Sequence, residues 1–480
     1  LGACTVGPDY RRPELAVPTH WTAINAPASQ VDANRWWQQF HDPVLNRLVS
    51  DALIANLDVQ QAALRVKDAR AQRWATLALG LPSVSAKSNA SRRFNNSASA
   101  AQTNGSSAAG GGFGIGNQTI NIFQMGFDAQ WELDFFGGVR RALEAADATV
   151  ESEQEHSHAV VVSLLGDVAA NYISLRANQQ LIALTHQHIA AQQATVELTQ
   201  IRQQAGFTTE LEVAQAQAQL ANLTAALPSY ETAAALAIHA LGILLGREPN
   251  ALQGRLTAIG AIPQLPLTAV AELPSTLLQR RPDIRQAERQ LAAATANIGV
   301  ATAELYPKVN LAAFLGLQNM RITDFTPIGK SWSTAASLSM PLFNWGKINA
   351  NITSKKAQAE QAQLAYQATI LSAFQEVEDA LVAYSNGYRR LASLNQAVAA
   401  NQVAVQLANE RYSKGLTLFL DVLQSQQALY QSQREQTDSL AQVAKDLVAL
   451  YKALGGGWQA ATVIGPNLSN MGNIYHFSVE

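Results

Sequence analysis

From Gly138 to Ala205 the chain holds about 68 residues of helical pattern with no proline and one interior glycine, Gly166. At ~1.5 Å per residue such a helix runs roughly 100 Å. That is too long for an ordinary globular core, so it must pair with other helices or bridge something. Its apolar positions step by fours and threes through Val161, Leu165, Val168, Tyr172, Leu175, Ile182, Ile189 and Val196, with Gln179, His186, Gln193 and Gln200 at the remaining steps. The spacing predicts a coiled-coil seam that grows polar towards one end.

The same object occurs again. A shift of 209 places lays Gly137 on Gly346, Arg202 on Arg411, Gly206 on Gly415, Leu211 on Leu420, Leu220 on Leu429 and Gly246 on Gly455 without a gap. The seam returns as Ile370, Phe374, Val377, Leu381, Tyr384, Tyr388, Leu391, Val398 and Val405. Upstream, Asp58 matches Asp283 and Pro82 matches Pro307 at a shift of 225, so 16 extra residues (225 − 209) lie between the two registers of the first copy. An internal two-fold repeat follows.

Between those registers the period changes to two. Phe123, Met125, Phe127, Ala129, Trp131 and Leu133 alternate with Gln124, Gly126, Asp128, Gln130 and Glu132, which predicts a strand with one greasy and one wet face. Val84, Ala86, Ser88 and Ala90 form a weaker partner, and the stretch from Asn95 to Gln118 is a Ser/Asn/Ala/Gly loop at an exposed tip. The second copy offers Val309, Leu311, Ala313, Leu315 and Leu317 on one strand and Trp332, Thr334, Ala336, Leu338, Met340 and Leu342 on the other.

Helix lengths set a layout. The helix after the turn at Gly206 covers about Thr209 to Gly246, and the one before the first hairpin about Asp51 to Gly80 within a pattern that starts at Asn46. Together they match the long helix, so one long helix can lie beside two shorter ones stacked end to end. Pro249, Pro263, Pro266, Pro274 and Pro282 break the chain between them, giving a belt at mid-height. The expected segments are 1–45 (N-terminal tether and start of the belt), 46–82 (helix of repeat 1), 83–134 (β-hairpin 1), 135–246 (helical hairpin 1), 247–281 (equatorial linker), 282–307 (helix of repeat 2), 308–343 (β-hairpin 2), 344–455 (helical hairpin 2) and 456–480 (C-terminal tail).

Composition narrows the partners. Net charge is −2 and no basic run or basic, aromatic-studded face occurs, so no nucleic-acid partner is expected. No stretch of 18 consecutive apolar residues exists, so no transmembrane helix is expected, and strands are the route left into a bilayer. Four strands cannot close a spanning barrel, which needs about eight or more. Threefold association supplies twelve strands and twelve helical columns, a continuous tube; the alternative is a soluble sheet covered by helices, which would have to bury its Ser/Gly/Gln faces. The sole cysteine, Cys4, makes no intrachain disulfide. It is either a thiol in a loose terminus or an acylation site, since Leu1-Gly2-Ala3-Cys4 resembles the end of a bacterial lipoprotein signal peptide.

Five blocks then carry a family resemblance: Cys4-Thr-Val-Gly-Pro-Asp-Tyr10, Trp36-Trp-Gln-Gln-Phe-His-Asp-Pro43, Arg280-Arg-Pro-Asp-Ile-Arg-Gln-Ala-Glu-Arg289, Ala303-Glu-Leu-Tyr-Pro307 and Leu454-Gly-Gly-Gly-Trp458. In that order they resemble the TolC-like outer-membrane efflux factors, in particular the acylated, NodT-type branch that serves RND multidrug pumps. The resemblance implies an α+β membrane channel: a homotrimer with a 12-stranded β-barrel in outer-membrane lipids, a periplasmic α-helical barrel and a mixed equatorial belt. It also implies docking to a periplasmic adaptor (a membrane fusion protein) and an inner-membrane RND pump. No catalytic residue and no cofactor are expected, apart from a covalent lipid on Cys4.

His156-Ser-His158 and His186-Gln-His188 invite a metal reading, but helical residues two apart point about 200° from each other and cannot chelate together. Solvated or seam histidines are the expectation, and no metal site is. The turns Ala205-Gly206-Phe207 and Lys414-Gly415-Leu416 are the stronger candidates. Each glycine ends a helix, and in the family the matching turns meet the adaptor. Just inside them, Asp421 and Glu212 occupy matching positions, either as helix N-terminal charges or, in a trimer, as part of an acidic ring that attracts cations. The resemblance implies a leucine ring at Leu420 and a closing link from Tyr412 to Glu212; Thr417 stands where the family has an arginine. A passive efflux duct therefore competes with an outlet for type I protein secretion and with a structural helical spacer.

Overall fold

Period-two and period-3.6 stretches resolve into strands and helices in a computed structural model that describes residues 5–13, 18, 21, 33–95, 118–265, 277, 279–324 and 329–459. Cys4, the loop between the first two strands, Pro266, Pro274 and the tail from 460 lie outside the described residues. In chain order the elements are α1 (Pro43–Ala55), α2 (Leu57–Ala78), β1 (Ser83–Asn95), β2 (Gln118–Leu133), α3 (Gly138–Gln204), α4 (Glu210–Leu244), α5 (Gln253–Leu256), α6 (Pro282–Ala303), β3 (Lys308–Asn319), β4 (Lys330–Ser339), α7 (Lys347–Ser413) and α8 (Phe419–Ala453). Lengths come in pairs: α3 and α7 have 67 residues each, α4 and α8 have 35, α2 and α6 have 22. Two compact units result, one of Leu1–Arg12, Asp68–Val150 and Arg289–Gln363, the other of Pro13–Lys67, Glu151–Glu288 and Leu364–Glu480.

The first unit is built on an antiparallel sheet of four strands in the order β1-β2-β3-β4. Its register sets Ala86 opposite Phe127, Phe127 opposite Leu315 and Leu315 opposite Trp332, so all the alternating apolar residues share one face. Met340 and Leu342, expected on the fourth strand, fall just past its end. The face is bare: Phe127 is 58% exposed, Leu315 65% and Trp332 74%. A contiguous apolar surface of this kind marks contact with lipid or protein. The opposite face is polar, with Lys87 paired to Asp128 at 3.2 Å and Lys308 to Glu132 at 3.5 Å. Phe314 is the aromatic ring there, on the same face as Ile120 and Ile122, and glycines explain its place. A Cβ on Gly126 or Gly316 would come within 2.8 Å of the Phe314 ring, which lies over this facing glycine pair and is itself buried.

The N-terminal strap of this unit is held by Arg141 of α3. Its guanidinium donates to the carbonyls of Val6 (3.1 Å) and Gly7 (3.3 Å) and to the carboxylates of Asp9 (2.6 Å) and Glu144 (2.7 Å). Arg289 lies over the Tyr10 ring at 5.7 Å. The block from Cys4 to Tyr10 is thus a docking segment from Thr5 onward.

The second unit has the main hydrophobic core, where Trp36, Phe40, Leu45, Leu48, Leu165, Tyr172, Leu175, Leu241 and Tyr451 are fully buried. Burying each such side chain contributes about 1.5–3 kcal/mol. Three of the sequence blocks meet here. Trp36 stacks on Tyr451 at 5.5 Å, and the Tyr451 hydroxyl donates to Gln39 at 2.7 Å. Trp458 donates to the Arg280 carbonyl at 3.2 Å, takes Arg285 over its ring at 5.5 Å and stacks on His158 at 4.3 Å. Arg281, buried, donates to Asp283 and Glu376 (both 2.7 Å) and to the Ala453 carbonyl (2.8 Å). Burial acts to lower its pKa, but the two carboxylates outweigh burial and hold it raised.

Sequence expectations fail in three places. The helix expected over 46–82 is two helices, because Asn56 adopts extended geometry (φ −63°, ψ 132°) between α1 and α2. Its side chain accepts from the Val59 N–H at 3.0 Å, capping α2, and donates to the Leu244 carbonyl at 2.9 Å, closing α4. Asn56→Ala is expected to cost about 1–3 kcal/mol, read as a lower unfolding midpoint in detergent; an unchanged midpoint would show that the break does not depend on this side chain.

The second failure is the polar end of the α3 seam. His186 and Gln193 are exposed, and the buried positions are Thr185, Gln192 and Thr199, with Val196 shared. Hydrogen bonds select this face: Thr185 bonds the Tyr430 hydroxyl at 3.1 Å and Gln192 donates to the Ala216 carbonyl at 3.0 Å. Third, α3 and α4 do contain windows apolar and long enough to cross a membrane by length and composition. In α4 those residues include Ala234, Ala237, Ile238 and Leu241, which go into the second unit's core.

Candidate functional site

The two helical turns at the ends of α3 and α7 are built alike. At the first, Gly206 (φ 79°) donates to the Gln203 carbonyl at 3.0 Å and Phe207 to the Arg202 carbonyl at 2.8 Å. At the second, Gly415 (φ 72°) donates to Tyr412 at 3.0 Å and Leu416 to Arg411 at 2.9 Å. Both are the paired 6→1 and 5→2 bonds of a Schellman ending, which needs a left-handed residue. A Cβ at either glycine would meet no atom within 4 Å, so backbone conformation alone asks for glycine.

After each turn the chain re-enters a helix with a carboxylate at its third residue. Glu212 of α4 accepts from Thr208, and Asp421 of α8 accepts from Thr417 and from the Leu418 N–H at 3.2 Å. Asp421 therefore caps its helix through the Leu418 N–H, and both carboxylates charge a helix N-terminus, where the macrodipole favours them. Thr417 serves its neighbour Asp421.

Tyr412 joins the two turns. Its hydroxyl donates to Glu212 Oε2 at 3.1 Å, and Arg202 lies 4.7 Å from its ring centroid. Beneath it Val196, Ala216 and Phe419 form a small buried cluster with Leu220 and Leu423, the Phe419 ring being 5.5 Å from that of Tyr412. Burial, and then Glu212, raise the Tyr412 pKa while Arg202 opposes them, so the phenol stays a donor. Arg202, Thr208 and Phe419 were not singled out in the sequence. Arg202 had a signal in its match with Arg411, and Thr208 in its match with Thr417 at the same shift of 209; Phe419 had none.

The remaining candidates face outward. Ala205, Phe207, Lys414, Leu416 and Leu420 are exposed, Phe207 at 77% and Leu416 at 62%, and Lys414 pairs with Glu410 on its own helix. Leu211 and Leu418 are exposed beside them, so the turns present an apolar surface.

The histidines go separate ways. His156 accepts from Arg65 at 2.9 Å and His158 contacts Glu155 at 3.1 Å; His186 is exposed, and His188 donates to Gln433 at 2.7 Å. Burial lowers the His188 pKa.

Residues 48–247 and 273–456 match the model of the outer membrane efflux protein family. The chain is 32% identical over 467 residues to nodulation protein T of Rhizobium leguminosarum bv. viciae, covering 97% of this chain and 93% of that protein. It is 34% identical over 475 residues to the probable efflux pump outer membrane protein TtgC of Pseudomonas putida, covering 96% and 94%. Among solved structures, the outer-membrane channel OprN superposes with a TM-score of 0.85 at 34% identity, covering 95% of this chain and all of that one. With the family model spanning most of its length and relatives matched nearly end to end, this chain belongs to the outer membrane efflux protein family.

Proposed function

We propose that the protein is the outer-membrane exit duct of a tripartite RND-type efflux pump, a passive conduit for drugs or other small solutes. The observation that carries this is the four-stranded sheet with one bare apolar face, one polar face and two open edges. A bilayer satisfies the first feature, a water-filled lumen the second and neighbouring copies the third. The paired element lengths support an internal repeat, and three copies of four strands give a twelve-stranded barrel. The equal helices then line a periplasmic tube with a belt drawn from 247–281.

In this reading the exposed turns at Ala205, Gly206 and Phe207 and at Lys414, Gly415 and Leu416 receive the adaptor, and Leu420 and Asp421 ring the aperture closed by Tyr412 and Glu212. A lipid on Cys4 would tether the mature chain to the outer membrane. Purified in detergent and added to planar bilayers, the protein is expected to give discrete channels and a trimeric mass. Recovery from the soluble fraction without detergent would refute the duct.

A further inference from the structure

We infer that the tip end of the apolar sheet face binds the phosphates of lipid A, the phosphorylated glycolipid of the outer leaflet, through Arg92 and Lys330. The inference rests on the duct reading above, in which this face meets lipid, and it names the lipid and the side chains that hold it.

The register places both cations. Ala86 lies opposite Phe127, so Arg92, an even number of residues further along β1, shares the apolar face; Lys330 shares it with Trp332, two residues on in β4. Among the described strand residues they are the charged groups of that face, since Asp128 and Glu132 lie on the other with Lys87 and Lys308. Both sit at the same end. The helices α2 and α6 lead into β1 and β3, while β2 and β4 lead out into α3 and α7, so all four helices join the sheet at its base. Arg92 falls in the last four residues of β1 and Lys330 is the first of β4, which puts both at the far tip. Arg92 is directly opposite Asn121, with Thr119 two residues away, and all four side chains are exposed. At the base the same face ends in Val84, Leu133, Val309 and Leu338, without a charge.

A cation on the lipid face of a barrel is costly at the bilayer midplane and nearly free at the interface, so Arg92 and Lys330 mark the outer limit of the hydrocarbon. A limit alone needs no charge, because the base makes one with aliphatic side chains. The two ends of the face differ, and so do the two headgroup layers of an outer membrane, whose outer layer is built from a phosphorylated glycolipid. Neither cation has a hydrogen-bond or ion-pair partner among the described residues. A guanidinium grips a phosphate with paired N–H groups and an ammonium acts on it as a point charge. The Thr119 hydroxyl and Asn121 amide add donors and acceptors suited to a sugar. A zwitterionic phospholipid would offset its own phosphate; a phosphate on a sugar keeps its full charge for the protein. Strands β1 and β4 are separated by two others, so each cation takes its own phosphate.

The test is native mass spectrometry of the detergent-purified full chain, stripped of lipid and titrated with bisphosphorylated lipid A, dephosphorylated lipid A or phosphatidylglycerol. Wild type is expected to bind bisphosphorylated lipid A about tenfold more tightly than either other probe, and Arg92→Gln with Lys330→Gln to lose about that factor. Arg92→Lys with Lys330→Arg, which keeps both charges, and Lys87→Gln, which removes a cation from the polar face, should bind as wild type does. Equal binding of the three probes by wild type, an undiminished affinity in the double glutamine variant, or an equal loss in Lys87→Gln overturns the site. The comparison of probes on wild type decides this even where the double variant fails to insert. Any of these results leaves the duct standing when the same preparation gives channels in planar bilayers; a wild-type preparation that gives none overturns the duct and this site with it.

Discussion

Tyr412→Phe is expected to raise the single-channel conductance of the purified protein in planar bilayers. The hydroxyl lost is the one that ties α7 to Glu212 of α4 at 3.1 Å. A bond from a neutral donor to a carboxylate contributes about 1.5–3 kcal/mol; at this length and partial exposure the lower figure applies. That is about tenfold in the balance of closed to open for each link, and a trimer would hold three. The phenylalanine keeps the ring against Phe419 and beneath Arg202, so the small cluster under the turn survives. If conductance stays at the wild-type level while a substitution at Leu420 opens the pore, closure rests on a hydrophobic ring and the polar link is idle.

The second large effect concerns stability. Arg281→Met is expected to destabilise the second unit by about 3 kcal/mol, seen as a fall in the thermal unfolding midpoint in detergent. The guanidinium bridges Asp283, Glu376 and the Ala453 carbonyl from a buried position, so removing it strands three acceptors at once. Asp283 and Glu376 are 38% and 55% exposed and recover some hydration, which keeps the loss at the low end of the range for broken buried pairs. Arg281→Lys should fall between, since one ammonium cannot span all three acceptors in the planar geometry of a guanidinium. A wild-type midpoint for Arg281→Met would mean that the Arg-Arg-Pro-Asp block is kept for something other than packing.

What the sequence disclosed follows from periodicity. Phe127 and Leu315 betray their strands because alternation repeats over many residues, and Leu165, Val168 and Tyr172 betray their seam because oily side chains have one place to go. Polar seams carry no such mark. Gln192 and Gln193 are identical to any hydrophobicity count, and only the Ala216 carbonyl, far along the chain, decides which is buried. Asn56 interrupts a helix by capping the next one, a role visible only once Leu244 is brought beside it. At the turns, Tyr412 and Glu212 were legible through the family resemblance and meet in space; Arg202 over the Tyr412 ring was not, because a cation and an aromatic ring 210 residues apart in the chain (412 − 202) have no shared pattern.

The change in seam chemistry along α3 has a mechanical consequence. Between Leu165 and Leu175 the helix is held by fully buried apolar side chains, and drawing its neighbours away there would expose surface at about 25 cal/mol per Å². Between Thr185 and Thr199 much of the contact is made by hydroxyl and amide groups, whose bonds water can replace at a net cost of about 1 kcal/mol each. Compliance in this part of the molecule therefore rises towards Gly206. The helices behave as rods clamped at Trp36 and Tyr451 and springy at their turns, so a modest load at the tips bends them apart without loosening the clamp.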